Sequence, residues 1–249
     1  MKRIIIILAA IFYASFGLYA QDALEQANEN YKTGKFNEAI ALYEQVLKER
    51  GPSAVVYFNL GNSYFRVNRL APCILNYERS LLLDPGDRDV RFSLEVARLK
   101  TVDKIEPVGD FFLSEGFRAV QNLLSADEWS YLGIACFLLF IASLFVYFFS
   151  RKIGLKKTGF YVGLVFLVLT VLANIFAWNE KKQLQNRNTA IIFSPTTTIK
   201  NSPDASGSDQ FILHEGTKVE TKRKVGDWTE IETADGNVGW IQSKEIEVI

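Results

Sequence analysis

Two asparagine side chains, Asn59 and Asn62, have the residue type and spacing best suited to molecular recognition. They are three positions apart, so both point to the same side of a helix that contains them. An amide donates and accepts hydrogen bonds at once, which matches the alternating N–H and carbonyl groups of a peptide backbone. The pair therefore indicates peptide binding, although two solvated surface amides would give the same pattern.

Catalysis needs a convergent set of acids, bases, nucleophiles or metal ligands, and the sequence does not suggest one. His214 is the single histidine, and one histidine without partners cannot assemble a metal site. Cys73 and Cys136 belong to no CxxC motif, and there is no phosphate-binding glycine loop. Acidic and basic residues are interspersed at helical spacing, which is typical of a solvated face. We therefore expect a protein that is not an enzyme, with no catalytic or metal-binding residues and no cofactor.

The asparagines belong to a segment that repeats with a period of 34 residues. A shift of 34 positions superimposes Ala27 on Gly61, Tyr31 on Phe65, Ala39 on Cys73, Ile40 on Ile74, Tyr43 on Tyr77 and Leu47 on Leu81. This pattern resembles the tetratricopeptide repeat, a stack of paired α-helices. It predicts repeats at 22–53 and 54–87 and a capping helix at 88–100, within a domain at 21–101. Gly34 and Asn68 are predicted to end the first helix of each repeat in a left-handed conformation.

The resemblance also implies where a ligand would bind. Tetratricopeptide domains use the concave face that is lined by the first helix of each repeat. On the second repeat that face would present Asn59, Asn62, Ser63 and Arg66 as the candidate protein-binding residues.

Two apolar runs of 21 residues, 129–149 and 158–178, predict a pair of transmembrane helices. At about 1.5 Å per residue, each run spans the roughly 30 Å hydrocarbon core of a bilayer. The connecting residues 150–157 carry four Lys or Arg and no acid, and short loops of this kind stay cytoplasmic. Residues 1–20 have the pattern of a signal peptide. We therefore expect an inner-membrane protein with both soluble domains on the periplasmic side.

Residues 102–128 are predicted to connect the repeats to the first span as a linker followed by an amphipathic helix. The apolar stripe of this helix consists of Leu113, Phe117, Val120 and Leu124. The helix is expected to lie in the membrane interface or to pack against the repeats. Ser125 and Glu128 form an S-x-x-E capping box, which predicts a helix start just before the first span.

Residues 189–249 change to short β-prone runs separated by turn residues. Six strands are predicted, at 190–193, 196–200, 210–214, 217–222, 228–233 and 238–241. The spacing of the glycines and tryptophans resembles bacterial SH3 domains, so the predicted fold is a small all-β SH3-like barrel. Such domains bind cell-wall peptides or exported proteins, which makes Trp228 and Trp240 candidate contacts. A role in the core is the alternative for both.

The order of signal peptide, two repeats, membrane hairpin and terminal SH3-like domain resembles the BatE family of the aerotolerance operon. That resemblance implies a component of a stress-tolerance membrane complex, working beside von Willebrand-type membrane proteins. We expect a non-enzymatic membrane-anchored adaptor that binds exported protein partners. The alternative is a sensor or binder of peptidoglycan that acts through the SH3-like domain. The 28 acidic and 28 basic side chains balance, so no nucleic-acid partner is expected.

Overall fold

A computed structural model describes residues 23–105, 112–185 and 188–249 of the 249-residue chain. The predicted signal peptide, part of the predicted linker and the side chain of Leu113 lie outside the described residues. The chain forms two compact units. Among the described residues, one unit contains five α-helices, a short 3-10 helix and an antiparallel sheet, and the other contains three α-helices.

The first unit begins with paired helices. Helix α1 covers residues 23–32, and it is followed by α2 (Phe36–Arg50), α3 (Ala54–Arg66), α4 (Leu70–Leu83) and α5 (Arg88–Arg98). Gly34 and Asn68 both have positive φ, at 80° and 56°, which confirms the two predicted left-handed turns. These positions are one period apart, so α1–α2 and α3–α4 are equivalent hairpins, as in tetratricopeptide repeats.

Small residues at the helix crossings set the separation of the helices. Ala27, Ala39 and Cys73 are fully buried. A β-carbon added at Gly61 would lie 2.6 Å from Cδ1 of Tyr77, so only glycine lets α3 and α4 approach this closely. Helix α5 is capped by Asp87, whose carboxylate accepts hydrogen bonds from the backbone N–H groups of Asp89 and Val90.

Seven strands follow in the same unit. They are β1 (Thr189–Ile192), β2 (Thr196–Lys200), β3 (Asp209–His214), β4 (Lys218–Val225), β5 (Trp228–Glu232), β6 (Val238–Gln242) and β7 (Ile246–Val248). All pairings are antiparallel, in the order β3-β2-β6-β5-β4-β1-β7. The order does not close on itself, so the sheet is open and the predicted SH3-like barrel is not confirmed. Six strands lie close to the predicted ones, whereas β7 was not predicted.

The sheet and the repeat helices share a hydrophobic core. Ile191 of β1 and the last residue, Ile249, are buried in the cluster that contains Tyr43, Ile74 and Tyr77 of the helices. A second cluster of mainly β-branched residues lies within the sheet: Ala190, Ile192, Ile199, Leu213, Val219, Ile231 and Ile241. Alternate residues of β1 therefore face the two cores, because successive strand side chains point to opposite sides.

The second unit contains α6 (Phe112–Gln121), α7 (Ala126–Phe149) and α8 (Ile153–Gln185). Ser125 and Glu128 form the predicted capping box, with Glu128 Oε2 accepting from Ser125 N at 2.9 Å. Residues 126–149 and 153–182 are long and apolar enough to cross a membrane. In each helix, only 17% of an apolar stretch of 18 residues is buried. This low burial distinguishes them from the core helices of a soluble protein. The predicted spans lie inside α7 and α8, and only residues 150–152 connect the two helices.

Small residues also line the α7–α8 contact. A β-carbon at Gly159 would lie 3.0 Å from the Ser143 carbonyl oxygen, and one at Gly163 would lie 3.3 Å from Ser143 Cβ. Such positions let two apolar helices pack closely. Helix α6 packs on the same hairpin, where the rings of Phe117 and Phe176 lie 4.8 Å apart.

Candidate protein-binding site

In each repeat, a tyrosine of the second helix donates a hydrogen bond to an asparagine of the first helix. Tyr43 Oη of α2 donates to Asn28 Oδ1 of α1 at 2.6 Å, and Tyr77 Oη of α4 donates to Asn62 Oδ1 of α3 at 2.7 Å. Both members of the second pair lie 34 positions after those of the first. The repeat therefore reproduces a side-chain geometry as well as a packing pattern.

A third asparagine links the two hairpins. Asn59 Nδ2 of α3 donates to Asn28 Oδ1 at 3.3 Å, so that oxygen accepts two hydrogen bonds. No described residue accepts a hydrogen bond from Asn28 Nδ2 or Asn62 Nδ2. Because their carbonyl oxygens already accept from tyrosine hydroxyls, the N–H groups of these two half-buried amides are left as donors. We call Asn28, Asn59, Asn62 and Arg66 the asparagine face.

Burial of the tyrosines keeps this arrangement constant over a wide pH range. It raises the pKa of Tyr43 to about 12, with a smaller contribution from the neighbouring Tyr31, and it also raises the pKa of Tyr77. Both hydroxyls therefore remain protonated donors at neutral pH. The hydrogen bonds from these hydroxyls to the asparagine oxygens are therefore retained.

The other two candidates on α3 differ from each other. Arg66 is exposed, and its guanidinium carbon lies 5.1 Å from the ring centroid of Phe36. It follows Asn62 by four residues, so it extends the same helical stripe with a positive charge. Ser63 is fully buried, and its hydroxyl donates to the Asn59 carbonyl oxygen at 2.8 Å. Its side chain supports the helix interior and is not presented at the surface.

The tryptophans project from one face of the β5–β6 hairpin, since Trp228 pairs with Gln242 and Glu230 pairs with Trp240. Trp240 is only 6% exposed, and the guanidinium of Arg223 lies 5.2 Å from its ring centroid. Arg223 is fixed in turn by Glu230, at 2.7 Å. Trp228 is half-buried. Of the two, Trp228 is therefore the more accessible aromatic surface.

Contacts between the repeat helices and the sheet were not predicted from the sequence. Glu78 of α4 is buried and accepts hydrogen bonds from Lys218 Nζ at 2.7 Å and from Arg98. Burial would raise the pKa of Glu78, but the two cations outweigh it and hold the pKa below its ordinary value. The interspersed charges of the repeats predict a solvated face, and the burial of Glu78 departs from that expectation. The unpredicted strand packing explains the difference, because Lys218 comes from β4.

A second polar contact joins the residues after α5 to the sheet. Asp103 accepts from the backbone N–H of His214 and from Thr217 Oγ1, both at 2.7 Å, and its other oxygen lies 2.8 Å from His214 Nδ1. Burial would raise the Asp103 pKa, but these hydrogen bonds lower it overall. The single histidine thus lies in a contact with Asp103 that joins two parts of the unit.

A groove of about 320 Å³ lies over α3, between α2 and α4. Tyr57, Leu60 and Tyr64 are among its lining residues. Arg79 and Glu247 also border it, and they form an ion pair of 3.1 Å, so β7 contributes to one side. None of the residues of the asparagine face lines this groove.

Neither cysteine has the surroundings of a reactive group. Both are buried, and burial raises the pKa of the Cys73 thiol to about 12. Within the described ranges, no three His, Cys, Asp or Glu residues are placed to hold a metal ion.

No protein-family model matches the chain, and no curated protein matches it by sequence. Among solved structures, the chain is similar to the first tetratricopeptide domain of Spaghetti (RPAP3) bound to the HSP90 peptide SRMEEVD. The identity is 15%, the match covers 67% of this chain and 94% of that chain, and the TM-score is 0.31.

Proposed function

We propose that this protein is a membrane-anchored adaptor whose asparagine face binds an extended segment of a partner protein. The observation that carries the proposal is the pair of amides at equivalent repeat positions, each oriented by a tyrosine hydroxyl. The remaining amide N–H groups complement hydrogen-bond acceptors, which an extended peptide supplies as backbone carbonyls and carboxylates. The positive charge of Arg66 favours a segment that carries an acidic group.

We further propose the cellular setting that the sequence resemblance implies. The helices α7 and α8 would anchor the protein in a bacterial inner membrane, with the repeats and the sheet on the periplasmic side. The sheet would be a divergent relative of SH3-like domains, and the protein would be a BatE-type, non-enzymatic component of an aerotolerance complex. Its partners would then include von Willebrand-type membrane proteins. The balance of Lys and Arg around the hairpin supports this orientation.

The adaptor proposal is tested by site-specific photocrosslinking in native membranes. A photoreactive residue at position 66 should capture a partner, and a matched one at exposed position 45 on α2 should not. Asn28→Ala combined with Asn62→Ala should weaken capture about tenfold or more, because each hydrogen bond contributes about 1 kcal/mol. Gln45→Ala, which removes an exposed amide elsewhere, is the control.

Two results would reject the adaptor proposal. Equal capture from positions 45 and 66 would show that the crosslinks are nonspecific. Unchanged capture by the double asparagine variant, with its helical content preserved, would show that the amides do not bind the partner. Sedimentation of the purified protein with peptidoglycan, lost in Trp228→Ala, would instead support the cell-wall alternative.

A further inference from the structure

The two ends of the α7–α8 hairpin differ in charge. At the connected end, Arg151, Lys152, Lys156 and Lys157 are all exposed, and we call these four residues the basic collar. Residues 150–157 contain no acid. Within the described part of the chain, no ion pair involves a collar residue. The collar therefore concentrates four positive charges that no described residue neutralises.

The opposite end of the hairpin contains both signs of charge. Asp127 and Glu128 lie in the first turn of α7, and Glu180 precedes Lys181 and Lys182 near the end of α8. Lys182 Nζ also lies 5.6 Å from a ring centroid of Trp178. Three acidic side chains thus accompany two lysines, and the formal charges of the hairpin residues at this end give no excess of positive charge.

Aromatic and aliphatic side chains adjoin the basic collar. Tyr147 and Phe160 contact across the two helices, with ring centroids 6.1 Å apart, and Tyr161 follows on α8. Phe149 and Ile153, which flank the connection, are 78% and 74% exposed. Tyrosines next to exposed apolar residues are typical of the level at which lipid headgroups meet the hydrocarbon core.

We propose that the basic collar binds the headgroups of anionic phospholipids. The inference rests on membrane insertion of α7 and α8, which is part of the proposed function. If the apolar helices are in the bilayer, the collar lies at headgroup level, within the roughly 8 Å over which exposed charges act at physiological ionic strength. The phosphate of an anionic lipid then supplies the negative charge that the connected end of the hairpin lacks.

The test uses the full-length protein in vesicles of equal parts phosphatidylglycerol and phosphatidylethanolamine. After mild extraction, native mass spectrometry counts the lipids of each class that stay bound. We expect about fivefold enrichment of phosphatidylglycerol, which corresponds to the contribution of one basic residue near an anionic surface. The enrichment should fall with rising salt and disappear in the R151Q/K152Q/K156Q/K157Q variant. The K181Q/K182Q variant, with two exposed lysines replaced at the opposite end, should retain it.

Equal retention of the two lipids by the unaltered protein would overturn the proposal, as would enrichment that survives in the four-residue variant. Displacement of the bound lipid by millimolar inorganic phosphate would assign the collar to free phosphate instead. Carbonate extraction separates this proposal from membrane insertion. Protein released by carbonate contradicts insertion and the proposal together, whereas protein that stays in the membrane without lipid preference contradicts lipid binding alone.

Discussion

Glu78→Gln should destabilise the unit that contains the repeats and the sheet. The carboxylate is 8% exposed and holds Lys218 and Arg98, so the substitution leaves two cations without their counter-charge. Removal of one partner from a buried ion pair costs about 3 to 5 kcal/mol. Lys218 and Arg98 are 37% and 47% exposed, so water can solvate them after the substitution. We therefore expect a loss of about 2 kcal/mol in the free energy of unfolding.

The assay is urea unfolding of the full-length protein in detergent, followed by tryptophan fluorescence, because two of the four tryptophans lie in the sheet. Since the folded pKa of Glu78 is lowered, its stabilisation is complete above the ordinary glutamate pKa, about 4.3, and is lost as pH falls through the folded pKa. The difference in the free energy of unfolding between the unaltered protein and the Glu78→Gln variant should therefore shrink in acid.

The control is Glu220→Gln, which breaks an exposed contact with Lys222 and should cost less than about 1 kcal/mol. A pH-independent difference, or equal losses in both variants, would refute the reasoning.

Three further predictions concern other parts of the chain. Gly61→Ala should lower the free energy of unfolding by about 1 to 2 kcal/mol, because the clash with Tyr77 outweighs the gain in helix propensity; an unchanged thermal midpoint would contradict this. Ser125→Ala should weaken the start of α7 by about 1 kcal/mol and speed amide exchange there but not in α3, as hydrogen–deuterium exchange would measure. Asp103→Asn should cost about 1 to 2 kcal/mol above pH 4. Urea titrations should show that this cost vanishes as pH falls through the lowered Asp103 pKa. A cost that persists in acid would show that the contact between Asp103 and His214 is not its source.

Local periodicity explains which features the sequence could predict. The 34-residue period identified the helix pairs, and Gly34 and Asn68 identified two turns, because these signals depend on neighbouring residues. The apolar runs likewise identified two long helices, and Ser125 identified the start of one. Asn28 was missed as a member of the candidate site, although the same 34-residue shift superimposes it on Asn62.

Long-range packing explains what the sequence could not predict. Strand β7 has three residues, too few for an alternating pattern, and it forms by pairing with β1 more than fifty positions earlier. The burial of Glu78 depends on Lys218, which is 140 positions away. On the helix alone, a glutamate followed by an arginine has the appearance of a solvated surface. Only the packed sheet converts that surface into an interior contact.

Helix α4 connects the candidate site to the sheet through three consecutive residues. Tyr77 holds Asn62 on the asparagine face, Glu78 binds Lys218 of β4, and Arg79 donates to the Val248 carbonyl oxygen of β7 at 2.8 Å. Successive residues of a helix point about 100° apart, so one turn can reach three different surfaces. The contact with Val248 also satisfies a backbone oxygen at the edge of the sheet, where unpaired groups would otherwise accept a foreign strand. The sheet is therefore packed on the same helix that orients the amide of Asn62, and the repeat helices and the sheet are joined directly at that helix.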